Sequence, residues 1–154
     1  MSGHDALDAL ATELFRTFSR VEYALKASGY NTGDGDATAN WTMFAKEPAV
    51  EALVAAPQDP AMQAAIAFIF GAPPKKQVVE NGLLAWKVVE PATNSQADRL
   101  LIYVRRVRNN LFHGGKFNGH WFEPERSRPL LEHSLVVLQA VVAAVPAVFE
   151  AYKG

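Results

Sequence analysis

The sequence contains no cysteine, which removes disulfides, thiol nucleophiles and cysteine-bound zinc from its chemistry and fits a reducing compartment. Excess charge is missing too. The formal net charge is −1, so no whole-molecule field draws in nucleic acid. No apolar run reaches the roughly 20 residues that a membrane helix needs. The most apolar stretch, 135–149, is interrupted by Gln139 and Pro146 and is expected as a buried helix. The first residues, Met-Ser-Gly-His-Asp-Ala, lack the basic and apolar regions of a secretory signal, so a cytoplasmic protein without a membrane anchor is expected.

Metal and nucleotide motifs are missing as well. His113 and His120 stand seven apart across glycines, a poor ligand spacing. The loop Asn31-Thr-Gly-Asp34-Gly-Asp36 has the composition of a calcium loop without its spacing or its final glutamate. No Gly-Lys-Ser/Thr follows a glycine pair, so no phosphate-binding loop is present. Neither metal nor cofactor is expected.

What remains is a chain of 154 residues, 49% hydrophobic and 20% charged, in the range of one globular domain spanning 1–154. Leu7, Leu10, Leu14, Phe18, Val21 and Leu25 recur at steps of three or four and predict an amphipathic helix over 5–28, stopped by Gly29. A second helix is predicted from Asp36 or Thr38 through Trp41 and Phe44, with Pro48 breaking it or opening the next. Asp59-Pro60 opens another, ending at Gly71. Residues 76–89 carry Asn81-Gly82 between apolar runs, the mark of a tight hairpin, expected to lie against the helices. Ser95, with Asp98 three residues later, caps a helix whose apolar side is Leu100, Tyr103, Val104, Val107 and Leu111. Gly114-Gly115 terminates it, a polar and aromatic loop follows, and Pro129 opens a last long helix bent near Pro146. The fold class is all-α: an up-and-down bundle of four or five helices with one small β-hairpin. Trp41, Phe44, Trp86, Trp121 and Phe122 are assigned to the core, with base stacking as an alternative for Trp121.

Function concentrates at 105–116, Arg-Arg-Val-Arg-Asn-Asn-Leu-Phe-His-Gly-Gly-Lys. Over 99–116 five basic residues (Arg99, Arg105, Arg106, Arg108 and Lys116) occur without an acidic one, a local positive face on a neutral protein. Arg108 and His113 are about 140° and roughly 7.5 Å apart on a continuous helix. They converge on one ligand only if the helix frays at His113 or a second copy completes the site. Arg128 and His133 repeat the spacing, but His133 falls in an apolar run, so that pair reads as structural.

The run Arg108-Asn109-Asn110-Leu111-Phe112-His113-Gly114 resembles the Arg-x(4–6)-His signature of HEPN domains, with a polar residue after the arginine. A long first helix carrying a glutamate, here Glu22 within Arg20-Val-Glu22-Tyr-Ala-Leu-Lys26, resembles that architecture too. The resemblance implies a helical homodimer joined through the motif helices. It also implies metal-independent RNA cleavage, often by toxins or phage-defence effectors, or else a non-catalytic module that binds a nucleotide or partner protein. In the toxin branch paired with nucleotidyltransferase antitoxins a tyrosine follows two residues after the histidine. The matching position is here Gly115, which argues against inactivation by modifying that tyrosine, while an antitoxin or other partner protein stays among the expected partners.

The residues suit this chemistry on their own terms. Metal-free RNA cleavage needs a base for the 2′-hydroxyl proton and an acid for the leaving oxygen, and histidine serves both near neutrality. A guanidinium donates paired hydrogen bonds to the phosphorane. The roles expected are His113 as acid/base, Arg108 on the scissile phosphate, and Asn109 orienting either. Arg105, Asn110 and Lys116 would contact flanking RNA. Glu22 either neutralises a buried arginine across the bundle or pairs with Lys26 on the surface. Arg16 and Arg20 extend the basic face or are simply solvated.

Overall fold

In a computed structural model, the backbone is described for residues 3–112, 116–117, 120–121 and 124–154, and side chains for 5–111 and 125–154. The element order is α1 (Gly3–Ala27), α2 (Trp41–Ala45), α3 (Pro48–Ala55), α4 (Pro60–Gly71), β1 (Lys76–Glu80), β2 (Leu83–Lys87), α5 (Gln96–Phe112), β3 (Lys116–Phe117), β4 (His120–Trp121), α6 (Pro124–Ala144) and α7 (Pro146–Lys153). The fold is mostly helical.

Helix α1 buries Leu7, Leu14, Phe18, Val21 and Leu25 along one stripe, the face its spacing predicts. It stops where Gly29 takes φ +97°. Open space surrounds the Cβ position there, so the backbone conformation alone calls for glycine. The Tyr30 N–H then closes on the Leu25 carbonyl at 2.9 Å. Helix α1 packs on α6 and α7, and α4 packs on α6. Leu131, Leu138 and Val141 of α6 meet Leu14 and Val21 of α1 and Met62 and Ile69 of α4 in one core. Truncating a fully buried leucine such as Leu138 to alanine costs about 2–5 kcal/mol.

Several sequence expectations are corrected in detail. Among the described residues there are seven helices rather than four or five, because prolines at the first turns of α3 and α7 start new helices. Residues 135–149 accordingly do not form one buried helix: α6 and α7 meet at 114°. The cap of α2 is Asn40, not Asp36 or Thr38: its Oδ1 accepts from the Met43 N–H at 3.0 Å. Pro129 lies inside α6, which begins at Pro124. Beyond the motif, β3 and β4 pair as a second short ladder, Lys116 opposite Trp121, where only a loop was expected. No single helix among the described residues is long and apolar enough to cross a membrane.

The hairpin forms as predicted, with Asn81 at φ 51° and Gly82 at φ 77°, the two positive values of a type I′ turn. It lies against α5, as expected, but leaves one face open. Leu83, Leu84 and Val79 are exposed, and Trp86, expected in the core, is 37% exposed.

Candidate functional site

Helix α5 supplies the framework. The Ser95 Oγ accepts from the Asp98 N–H at 3.1 Å, which caps the helix, but the expected box is only half formed, because the Ser95 N–H donates to Thr93 Oγ1 at 3.2 Å instead of to Asp98. Leu100, Val104 and Val107 form its buried ridge. Two polar flanks lie either side of that ridge, and they do different jobs.

One flank carries Arg99, Arg106 and Asn110. Arg99 Nη2 donates to the Thr93 carbonyl at 3.2 Å, and Arg106 Nη1 donates to that of Val89. Asn110 Nδ2 donates to that of Lys75 at 2.6 Å. Lys75 immediately precedes β1 and Val89 lies two residues past β2. Arg106 and Asn110 therefore clasp both feet of the hairpin, and this side of α5 anchors the segment. Arg106 also lies 5.6 Å from the Tyr103 ring centre, and burial lowers its pKa from the ordinary value.

The other flank faces α1 and α2. Arg105 and Arg108, one turn apart, meet Phe18 and Glu22, also one turn apart, with Trp41 between them. The Arg108 guanidinium is 5.4 Å from the Phe18 ring centre. Phe18 stacks on Trp41 at 5.2 Å, and Arg105 is 5.8 Å from the Trp41 ring. Trp41 Nε1 donates to Glu22 Oε2 at 3.0 Å. These contacts form a column of two cations on two aromatic rings, closed by a carboxylate, with each ring's negative face turned to a cation.

Burial lowers the Arg105 pKa from its ordinary value, while the carboxylates of Asp98 and then Glu22 push it up. Arginine stays protonated throughout the working range, so Arg105 is a half-buried cation held near two acids. The Glu22 carboxylate accepts from the Trp41 indole and, after Asp98, contributes to raising the Arg105 pKa. Among the described residues it makes no ion pair with Lys26. Arg108 remains half-buried, and its Nη1 donates to the Oδ1 of exposed Asn109 at 3.0 Å.

Arg108 and Asn109 therefore stand together at the last turns of α5. Arg105 lies one turn back on the same flank, and Asn110 is turned to the hairpin. His113 and the Lys116 side chain lie outside the described residues, as do the side chains of Trp121 and Phe122. In the second arginine–histidine pair the two side chains turn to different partners: the His133 ring lies tilted against Phe68 at 4.9 Å, and Arg128 pairs with Glu132 on the surface at 3.8 Å. Arg20 donates to the Tyr152 carbonyl at 2.6 Å, so it fastens α1 to α7, whereas Arg16 is exposed. Sequence reasoning missed Phe18 and Trp41 as a platform, and Asp98 as more than a cap. The matching one-turn steps, 18 to 22 and 105 to 108, were the available signal.

Compared with models of protein families, with curated proteins and with solved structures, the chain matches none.

Proposed function

We propose that this chain is a metal-independent endoribonuclease of the HEPN type, acting as a homodimer in which paired motifs form the cleft. The supporting observation is the state of Arg108. It is steadied by the Phe18 ring and the Asn109 carbonyl and lies half-buried in the last turns of α5, five positions before His113. A guanidinium held in place before substrate arrives loses little orientational freedom on taking up a phosphate. Arg108 would bind the scissile phosphate and His113 would move the protons. Asn109 would hold the arginine's approach, and Arg105 and Lys116 would supply flanking positive charge. A role as toxin or phage-defence effector, with a partner protein restraining it, follows from the same reading.

The test incubates purified protein with mixed RNAs in chelator, wild type beside His113→Ala and Arg108→Ala. Cleavage by wild type alone, leaving 2′,3′-cyclic phosphate and 5′-hydroxyl ends, is the expected result. Ends bearing a 3′-hydroxyl, or equal cleavage by all three proteins, would overturn it.

One observation favours the rival class, a non-catalytic module that binds a nucleotide or a partner protein. Arg106 and Asn110 are committed to backbone carbonyls, and Arg105 to a half-buried place near Asp98 and Glu22. Fewer groups are then free for a long RNA than the motif's composition implies. Saturable binding of a nucleotide, without RNA cleavage, would select this reading.

A further inference from the structure

Among the described residues eight large hydrophobic side chains are exposed, and five belong to the hairpin and its exit: Val79, Leu83, Leu84, Trp86 and Val88. A patch of this kind marks a surface that meets a partner or a membrane. The register fixes an order along the hairpin. Glu80 pairs with Leu83 beside the turn, then come Val79 with Leu84, Val78 with Ala85, Gln77 with Trp86, and Lys76 with Lys87 at the base. Passing from turn to base, the exposed groups are aliphatic, then aromatic, then cationic. Four steps of about 3.3 Å set the lysine pair roughly 13 Å from the turn pair.

The hairpin is held at its base. Arg106 and Asn110 grip the carbonyls of Val89 and Lys75, and β1 adjoins α5. The opposite end is open: Val79 is 68% exposed, Leu83 71% and Leu84 73%. Over 75–89 one acid stands against three lysines. That acid, Glu80, belongs to the turn row yet pairs with Lys87 of the base row. Its carboxylate therefore leans back along the hairpin, and Leu83 and Leu84 lead.

We propose that this end of the hairpin docks reversibly on an anionic lipid bilayer. Leu83, Leu84 and Val79 enter between the acyl chains, Trp86 sits at the headgroup boundary, and Lys76 and Lys87 meet the lipid phosphates. Each position follows from chemistry. Aliphatic groups leave water, an indole with an apolar body and a polar N–H favours the boundary, and lysines keep their ammonium groups among anionic headgroups. The outward backbone N–H and C=O groups of both strands need water, so entry stops roughly 5–10 Å deep. Trp86 lies three steps, about 10 Å, from the turn pair, which matches that depth. Such entry needs no helix that crosses the bilayer.

The same order speaks against other occupants. Nucleic-acid bases stack on flat rings, and this surface has one ring among aliphatic chains. A protein interface sets its apolar core inside a polar rim, whereas here the apolar groups hold the tip and the cations lie at one end only. Docking of this kind is independent of RNA cleavage.

The test is flotation of the full chain with phosphatidylcholine vesicles, and with vesicles of phosphatidylcholine and phosphatidylserine in equal parts. Circular dichroism follows folding. Wild type is expected to float with the mixed vesicles and at least about fivefold less with phosphatidylcholine alone. L83T/L84T keeps strand propensity but withdraws the leading apolar groups, and should bind the mixed vesicles at least about tenfold more weakly. L83I/L84I, which restores them, should bind like wild type. Lys76→Gln should cost about fivefold on the mixed vesicles. Wild type left behind by the mixed vesicles would overturn the proposal, as would equal flotation of the threonine and isoleucine variants. Flotation indifferent to phosphatidylserine would overturn the anionic character of the partner. Weaker retention of RNA on a filter by L83T/L84T, with vesicle binding unchanged, would assign the surface to RNA instead.

Discussion

Trp41 Nε1 donates to Glu22 Oε2 at 3.0 Å, and this bond ties the start of α2 to the middle of α1 beside Arg105. Glu22 has two duties: it accepts from a buried indole, and it supplies negative charge to a half-buried guanidinium. The two can be separated. Glu22→Gln keeps an acceptor for Trp41 and removes the charge, which should cost about 1 kcal/mol, whereas Glu22→Ala removes both and should cost about 2 kcal/mol. Urea unfolding of the two variants decides it. Indistinguishable stabilities for Glu22→Gln and wild type would show that Arg105 does not draw on this carboxylate.

The contact between Arg108 and Phe18 connects the core to the candidate site. Phe18 is 4% exposed, so Phe18→Leu keeps most of the packing and should lower stability by about 1 kcal/mol. It withdraws the ring from the guanidinium, and single-turnover RNA cleavage should fall roughly tenfold. Arg108→Lys, which gives up the planar fork, should fall roughly a hundredfold. A lysine variant cleaving at the wild-type rate would remove Arg108 from phosphate binding.

The hairpin's attachment gives a prediction in hydrogen exchange. Asn110→Ala and Arg106→Met each release one foot, at Lys75 and Val89 respectively. Amide exchange over 76–88 should speed up about tenfold in each, while the buried turns of α5 around Leu100 and Leu101 stay protected. Unchanged exchange in the double variant would mean that the hairpin is held by its packing alone.

Alkaline stability should report on Tyr30. Its hydroxyl donates to Glu47 Oε1 at 2.6 Å. Burial, with that bond and the carboxylate's charge adding to it, pushes the phenol up to about 12 from an ordinary value of 10.0. A raised folded-state pKa means that the folded chain keeps the proton after the unfolded chain has lost it. The stability linked to this group is complete below pH 10 and is lost between about pH 10 and 12. Tyr30→Phe lacks the group, so its deficit against wild type should shrink over that window. A deficit constant from pH 9 to 12 would show that the phenol does not titrate in this way.

Several elements were legible in the sequence because they are decided locally. Apolar steps of three and four marked α1. Ser95 ahead of Asp98 marked the start of α5, and Asn81-Gly82 marked a turn needing two positive φ values. The break near Pro146 follows from the missing proline N–H, although only the structure shows α6 and α7 turning through 114°. Asn40 was passed over as a cap because Asp36 and Thr38 are equally good capping types, and backbone geometry chooses among them. Trp86 was assigned to the core, which holds only when another element covers that face of the strand, and here it is 37% exposed.

By itself, then, the sequence determined where helices start and stop, which stripes are apolar, and that cations and amides crowd the end of α5. Those properties depend on neighbours one turn apart, whose relation is set by backbone geometry. Tertiary structure decided which of these groups are spent and which are open. Arg106 and Asn110 go to the hairpin's feet, Arg105 to the acids Asp98 and Glu22, and Arg108 to Phe18 and Asn109. Phe18, Trp41, Lys75 and Val89 are distant from α5 in the chain, and only packing brings them to it. That is why equal-looking residues on one helix take unequal roles.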